Sequence, residues 1–123
     1  MNKLTEKHII ALNEKIAKQN GDIPSVKDNE VLKMVIAAPY EKDEELFYIN
    51  KNKIAKAAVL GVGIAQEKPF ANNNLATATL SLLTFLEING KKIEIKQEDV
   101  YVLHELMQEG EISKVIEWIE TYV

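Results

Sequence analysis

The sequence predicts an all-α fold, a compact bundle of six helices around a central buried helix. Three observations carry that expectation. Apolar residues recur at three- and four-residue spacing through most of the chain. Recognisable cap and stop residues bound the segments that show this spacing. One short stretch alone alternates in the manner of a strand, over residues 91–96. With 123 residues and no repeat, linker or low-complexity tract, residues 1–123 read as one domain.

The first helix is expected over 5–20, where Ile9, Leu12, Ile16 and Ala17 form a stripe. Thr5 serves as its N-cap and Gly21 as its stop. After the break Gly21-Asp22-Ile23-Pro24, a second helix runs from Asp28 to Ala38 and ends at Pro39. Residues 39–50 are polar and read as a surface loop. The third helix covers 51–66, burying Ile54, Ala57, Ala58, Val62 and Ala65. Its Gly61 and Gly63 each cost about 1 kcal/mol of helix propensity relative to alanine, so they point to close packing by a neighbouring helix. The fourth helix, 74–88, carries little charge and has apolar residues on most faces, so it is expected at the centre. Asn89-Gly90 stops it. Lys91-Lys92-Ile93-Glu94-Ile95-Lys96 then reads as a short extended segment. Helices over 98–108 and 113–122 close the chain, parted by Gly110, with Ser113 as the last cap.

Composition narrows the function classes. The net charge is −4, and every fixed positive charge is a lysine because arginine is absent. No basic stripe exists for phosphate backbones, which argues against a nucleic-acid partner. The missing arginine also removes the side chain that grips phosphate with a fork. There is no cysteine, so disulfides and thiolate metal sites are excluded. Ile54 to Ala65 is the longest apolar-leaning stretch, too short to span a bilayer, and the first residues turn polar at once. A soluble cytoplasmic protein without a membrane partner is expected.

The break Glu67-Lys68-Pro69-Phe70-Ala71-Asn72-Asn73-Asn74 before the fourth helix is the most informative segment. A tight turn feeding a helix presents unpaired N–H groups at the positive end of the dipole, where anions bind. On spacing alone the three asparagines read more simply as a generous N-cap. The acids Glu41, Asp43, Glu44 and Glu45 read as a solvated loop rather than a metal site, and no metal is expected. Neither histidine has a motif around it. His8 reads as a partly exposed helix residue and His104 as a hydrogen-bonded one.

Lys68-Pro69-Phe70-Ala71-Asn72-Asn73-Asn74-Leu75-Ala76-Thr77-Ala78, running on to Leu82-Leu83-Thr84-Phe85-Leu86-Glu87-Ile88-Asn89-Gly90, resembles the signature region of the Fic/Doc family. The Ile10-Ala11-Leu12 to Gly21-Asp22-Ile23-Pro24 opening and Gly110-Glu111-Ile112-Ser113 resemble the Doc (death-on-curing) branch. The resemblance implies a helical Fic/Doc domain. It also implies that the family's catalytic histidine position is held by Lys68, its acidic metal-positioning residue by Asn72, its lysine by Leu75 and its phosphate-gripping arginine by Ala76. Phe70, Asn74 and Thr77 match the family pattern.

A solvated lysine is a poor base near neutral pH. Loss of an arginine clamp on a transferring phosphoryl group costs on the order of 10³-fold in rate. Lys68, Asn72 and Ala76 are therefore expected to be non-functional as catalytic residues, while Asn73, Asn74 and Thr77 are the candidates for contacting a nucleotide or phosphate. Tyr40, Phe47 and Tyr48 are the candidates for a target-docking loop. By the resemblance, the expected function is that of a toxin–antitoxin or prophage-type Doc relative with its transferase motif lost. It would act through protein binding, with no cofactor. The partners implied are an antitoxin helix in an apolar groove and a translation elongation factor. The alternative is an ATP- and Mg²⁺-dependent phosphotransferase or adenylyltransferase acting on a protein hydroxyl through an altered site.

Overall fold

A computed structural model describes residues 2–41 and 53–123. Among them the chain forms six α-helices and a 3-10 turn, with no strand. The helices are α1 (Glu6–Asn20), α2 (Asn29–Ala37), α3 (Lys53–Glu67), α4 (Asn74–Ile88), α5 (Gln97–Glu109) and α6 (Ile112–Glu120). The 3-10 turn, Ala38–Tyr40, follows α2 directly, so Pro39 ends the α-helix but not the helical path.

Local signals explain most boundaries. The Thr5 hydroxyl accepts from the His8 N–H, and the His8 ring accepts from the Thr5 N–H, which closes a capping box. Gly21 ends α1 in the left-handed conformation, φ 74°. The Asp28 carboxylate accepts from Val31 N–H and starts α2. Ser113 does not cap the last helix as its type suggests. Gly110 ends α5 at φ 80°, and Glu111 alone separates it from Ile112, so Ser113 falls inside the first turn of α6.

The centre of the bundle is α3, not α4. Ala55, Ala57 through Val62, Ile64 and Ala65 are all buried, and α3 packs against α2, the 3-10 turn, α4, α5 and α6. Small side chains allow this. A Cβ on Gly61 would stand 3.0 Å from Leu82 Cδ1 and 3.1 Å from Met107 Sδ; one on Gly63 would stand 2.9 Å from Val35 Cγ1. The close-packing expectation for both glycines therefore holds. Helix α4 is the main partner of α3, burying Ala78, Leu82, Phe85 and Leu86, while Leu75, Leu80 and Leu83 stay partly exposed.

Residues 91–96 form neither helix nor strand. Ile93 and Ile95 are half-buried and the residues between are exposed, so the alternation is that of a strap lying over the core. No described helix is long and apolar enough to cross a membrane.

Replacing Gly63 by alanine is expected to lower folding stability by about 1–3 kcal/mol, since Val35 is core and must move. Urea denaturation of Gly63→Ala against the parent protein measures this. The exposed Gly21, whose Cβ would meet nothing within 4 Å, is the contrasting site where only the left-handed backbone resists substitution.

Candidate functional site

The turn between α3 and α4 must reverse the chain while burying Phe70, which is 1% exposed. The α3 path ends at Lys68, whose N–H still donates to Ile64 O and whose backbone is left-handed, φ 49°. A lysine there is strained by about 1–2 kcal/mol, because its Cβ crowds the following carbonyl. Asn73, just before α4, is also left-handed at φ 60°, a conformation that asparagine tolerates.

Two sets of bonds hold the turn. The first is a short antiparallel pairing with residues 25–28. Lys27 and Asp28 N–H groups donate to Pro69 O, and Ala71 N–H donates to Ser25 O at 2.9 Å. The second is a chain of side-chain amides. Asn74 Oδ1 accepts from Phe70 N–H at 3.0 Å while its Nδ2 donates to Phe70 O at 2.9 Å. Asn13, 1% exposed on α1, donates to Asn72 O and to Thr77 Oγ1 at 3.1 and 3.0 Å. Asn73 Nδ2 donates to Asp22 Oδ2 and to Asn72 Oδ1, and Asn73 Oδ1 accepts from Asn20 Nδ2, all at 2.9 Å.

This overturns the N-cap reading of the asparagines. Asn73 occupies the N-cap position, yet its side chain makes no cap bond, because its left-handed backbone turns the amide toward α1. No described residue accepts from the N–H groups of Asn74, Leu75 or Ala76. They border an open cleft of about 410 Å³ lined by Lys68, Asn73, Asn74, Leu75, Ala76 and, from α5, His104 and Gln108.

A sequence model of the Fic/DOC family matches residues 3–86. The chain belongs to the Fic/DOC family. The match spans α1 through most of α4, and the all-helical architecture agrees with it. A search of curated proteins finds no match.

Within this Fic/DOC domain the structure brings together Lys68, Asn73, Asn74 and Ala76 at one cleft. Thr77 is buried and its hydroxyl accepts from Asn13, so it faces the α1 interface instead. Asn72 Oδ1 is a neutral oxygen already accepting a hydrogen bond. A hard divalent cation favours carboxylates, and none of the described residues lining the cleft carries one. Tyr40 lies away from the cleft. Its half-buried ring packs on the core with Lys3 Nζ 4.3 Å and Lys56 Nζ 5.5 Å from its centroid, and burial raises its pKa. Phe47, Tyr48, Asp43, Glu44 and Glu45 lie outside the described residues.

Sequence reasoning missed two features. Asn13, Asn20 and Asp22 of the α1 region hold the turn; the signal was a lone asparagine, Asn13, between the core positions Ile9 and Ile16. His104 was expected to be hydrogen-bonded, but its Nε2 is buried with no partner among the described residues, and its ring lines the cleft. Its neighbours one turn away, Val100 and Gln108, line the same side of α5, a spacing visible in the sequence.

Asn74→Ala leaves the buried Phe70 backbone without two partners, so a loss of about 1–3 kcal/mol is expected in a denaturant titration. Burial lowers the His104 pKa below its ordinary value of 6.5. The unfolded chain then takes up the proton first as pH falls. Stability is complete above pH 6.5 and declines as pH drops below it toward the folded value. The melting temperature of His104→Gln should lose that part of the decline, measured from pH 8 to about 5.

Proposed function

We propose that this Fic/DOC chain has given up nucleotide transfer and acts by holding a protein partner, as the Doc component of a toxin–antitoxin or prophage-type module does. The observation that supports this most is what the turn's side chains are occupied with. Asn72, Asn73, Asn74 and Thr77 are engaged in bonds that keep the turn on α1 and on Phe70. Leu75 and Ala76 bring no charge to the cleft, which leaves Lys68 as its one fixed cation among the described residues. Triphosphate transfer depends on cations and metal that neutralise developing charge.

The partner surface that suits this reading is a second groove, of about 420 Å³, between α2, α3 and the start of α6. Met34, Val35, Val59, Val62 and Ile112 give it an apolar floor, and Glu41 and Glu67 stand at its rim. An amphipathic helix with apolar anchors and flanking lysines or arginines is the complementary occupant, the chemistry of an antitoxin segment. A cytoplasmic setting and an elongation-factor contact belong to the same reading.

One observation favours a second reading, anion binding without turnover. The free N–H groups of Asn74, Leu75 and Ala76, with Lys68 beside them, form a modest anion cradle.

Incubation with labelled ATP, Mg²⁺ and purified elongation factor Tu is expected to leave the factor unlabelled. Labelling that Lys68→Ala abolishes would sink the inactive reading. In calorimetry, a basic amphipathic helix should bind the parent chain and lose at least roughly tenfold in affinity against Met34→Lys, which removes an apolar anchor and repels its charge. ATP should bind weakly and be unaffected by that variant.

A further inference from the structure

Asparagine precedes glycine twice in this chain, at Asn20–Gly21 and Asn89–Gly90, and each pair closes a helix. That dipeptide is chemically labile, because glycine has no side chain to keep its nitrogen away from the preceding amide carbon. The two pairs share this chemistry and differ sharply in how they are held.

Asn89 is half-buried and held from several sides. Its Oδ1 accepts from Asn2 N–H at 2.8 Å, and its Nδ2 donates to Asn2 O at 3.0 Å and to Phe85 O at 2.8 Å. Lys53 Nζ donates to its backbone carbonyl at 2.7 Å, and Gly90 N–H donates to Glu87 O at 3.0 Å. Asn20 is exposed, and its side chain makes a single bond, donated to Asn73 Oδ1 at 2.9 Å. Gly21 N–H donates to Ala17 O and to Lys18 O, the latter at 3.3 Å, so the difference between the two pairs lies in their asparagine side chains.

We propose that Asn20–Gly21 is a self-modification site, at which deamidation converts an amide that holds the α3–α4 turn into a carboxylate. The Gly21 nitrogen, losing its proton, attacks Asn20 Cγ. A Gly21 N–Cγ bond forms, the Cγ–Nδ2 bond breaks, and the side-chain nitrogen leaves as ammonia carrying that proton. Water then opens the cyclic imide at one carbonyl or the other, giving aspartate or isoaspartate. No oxidant or cofactor is needed.

The product matters because of where Asn20 points. Asn73 Oδ1 loses its donor and meets a negative charge. Asn73 Nδ2 already donates to Asp22, so two carboxylates then face one amide. The left-handed Asn73 sets the start of α4, so conversion loosens the turn at the cleft. This holds whatever the cleft binds.

The test is peptide mapping by mass spectrometry of the full chain aged at mildly alkaline pH, scoring acid and isoaspartyl product at both pairs. The same chain in denaturant supplies the unprotected rates. In the native protein Asn20 is expected to convert within roughly threefold of its denatured rate, and Asn89 to be slowed at least roughly tenfold. Asn2→Ala should speed Asn89 and leave Asn20 alone. The Asn20→Asp variant should show faster amide exchange over residues 73–77 than the parent. Equal protection of the two pairs, faster conversion at Asn89 than at Asn20, or unchanged exchange in Asn20→Asp would each overturn the proposal.

Discussion

Burying Phe70 in the turn between α3 and α4 is the constraint from which the rest of this structure follows. A buried aromatic in a tight turn takes its own backbone out of water, and an unmet N–H or C=O there is costly. The Asn74 side chain satisfies both groups of Phe70 at once. That fixes the distance between the end of α3 and the start of α4, and with it the packing of the two helices against one another at the core of the bundle. The residues on either side of Phe70 are tied outward, Pro69 and Ala71 to residues 25–28 and Asn72 to α1. The turn is therefore a junction between three parts of the chain, and its two left-handed residues are tolerated because the surroundings over-determine them.

Helix α3 can occupy the centre because it is made of small residues. A central helix of leucines would force its neighbours apart. Alanine and glycine let α2, α4 and α5 approach, and the volume is returned by Val35, Leu82 and Met107 from those neighbours. Dense packing obtained this way has no slack, which is why a single methyl group at Gly63 matters. The same rigidity serves the site, since the start of α4 is positioned by a helix that cannot shift.

How far the sequence foretells the structure depends on the range over which each signal acts. Helix ends were legible because Thr5, Gly21, Asp28, Gly90 and Gly110 act on their immediate neighbours. The rank of α3 over α4 was not, because leucine-rich α4 looks more buried than alanine-rich α3 on hydrophobicity alone, and centrality depends on what the other helices bring. At the site, Lys68, Asn73, Asn74 and Ala76 line one cleft because they lie close together in the sequence. The task of Asn73 was misread because its partners Asn20 and Asp22 stand more than fifty residues away. His104 was misread for the same reason: a helix histidine's environment is set by whichever element packs across from it.

The cleft at the start of α4 has the geometry of an anion site and little of the charge. Free N–H groups at a helix start carry a partial charge of roughly +0.5, enough for a single anionic group but not for a triphosphate. Lys68 adds one flexible point charge, without the planar fork that orients phosphoryl oxygens. His104 is neutral where burial has lowered its pKa, so at ordinary pH it adds a ring nitrogen rather than a cation. The chain as a whole carries −4, so long-range attraction for a polyanion is absent too. The apolar groove beside α2 needs none of these charges, and its acidic rim matches the chain's overall sign. Under the proposed reading, a cleft whose one fixed cation among the described residues is Lys68, set beside an apolar groove, suits gripping a basic helix better than moving a phosphoryl group.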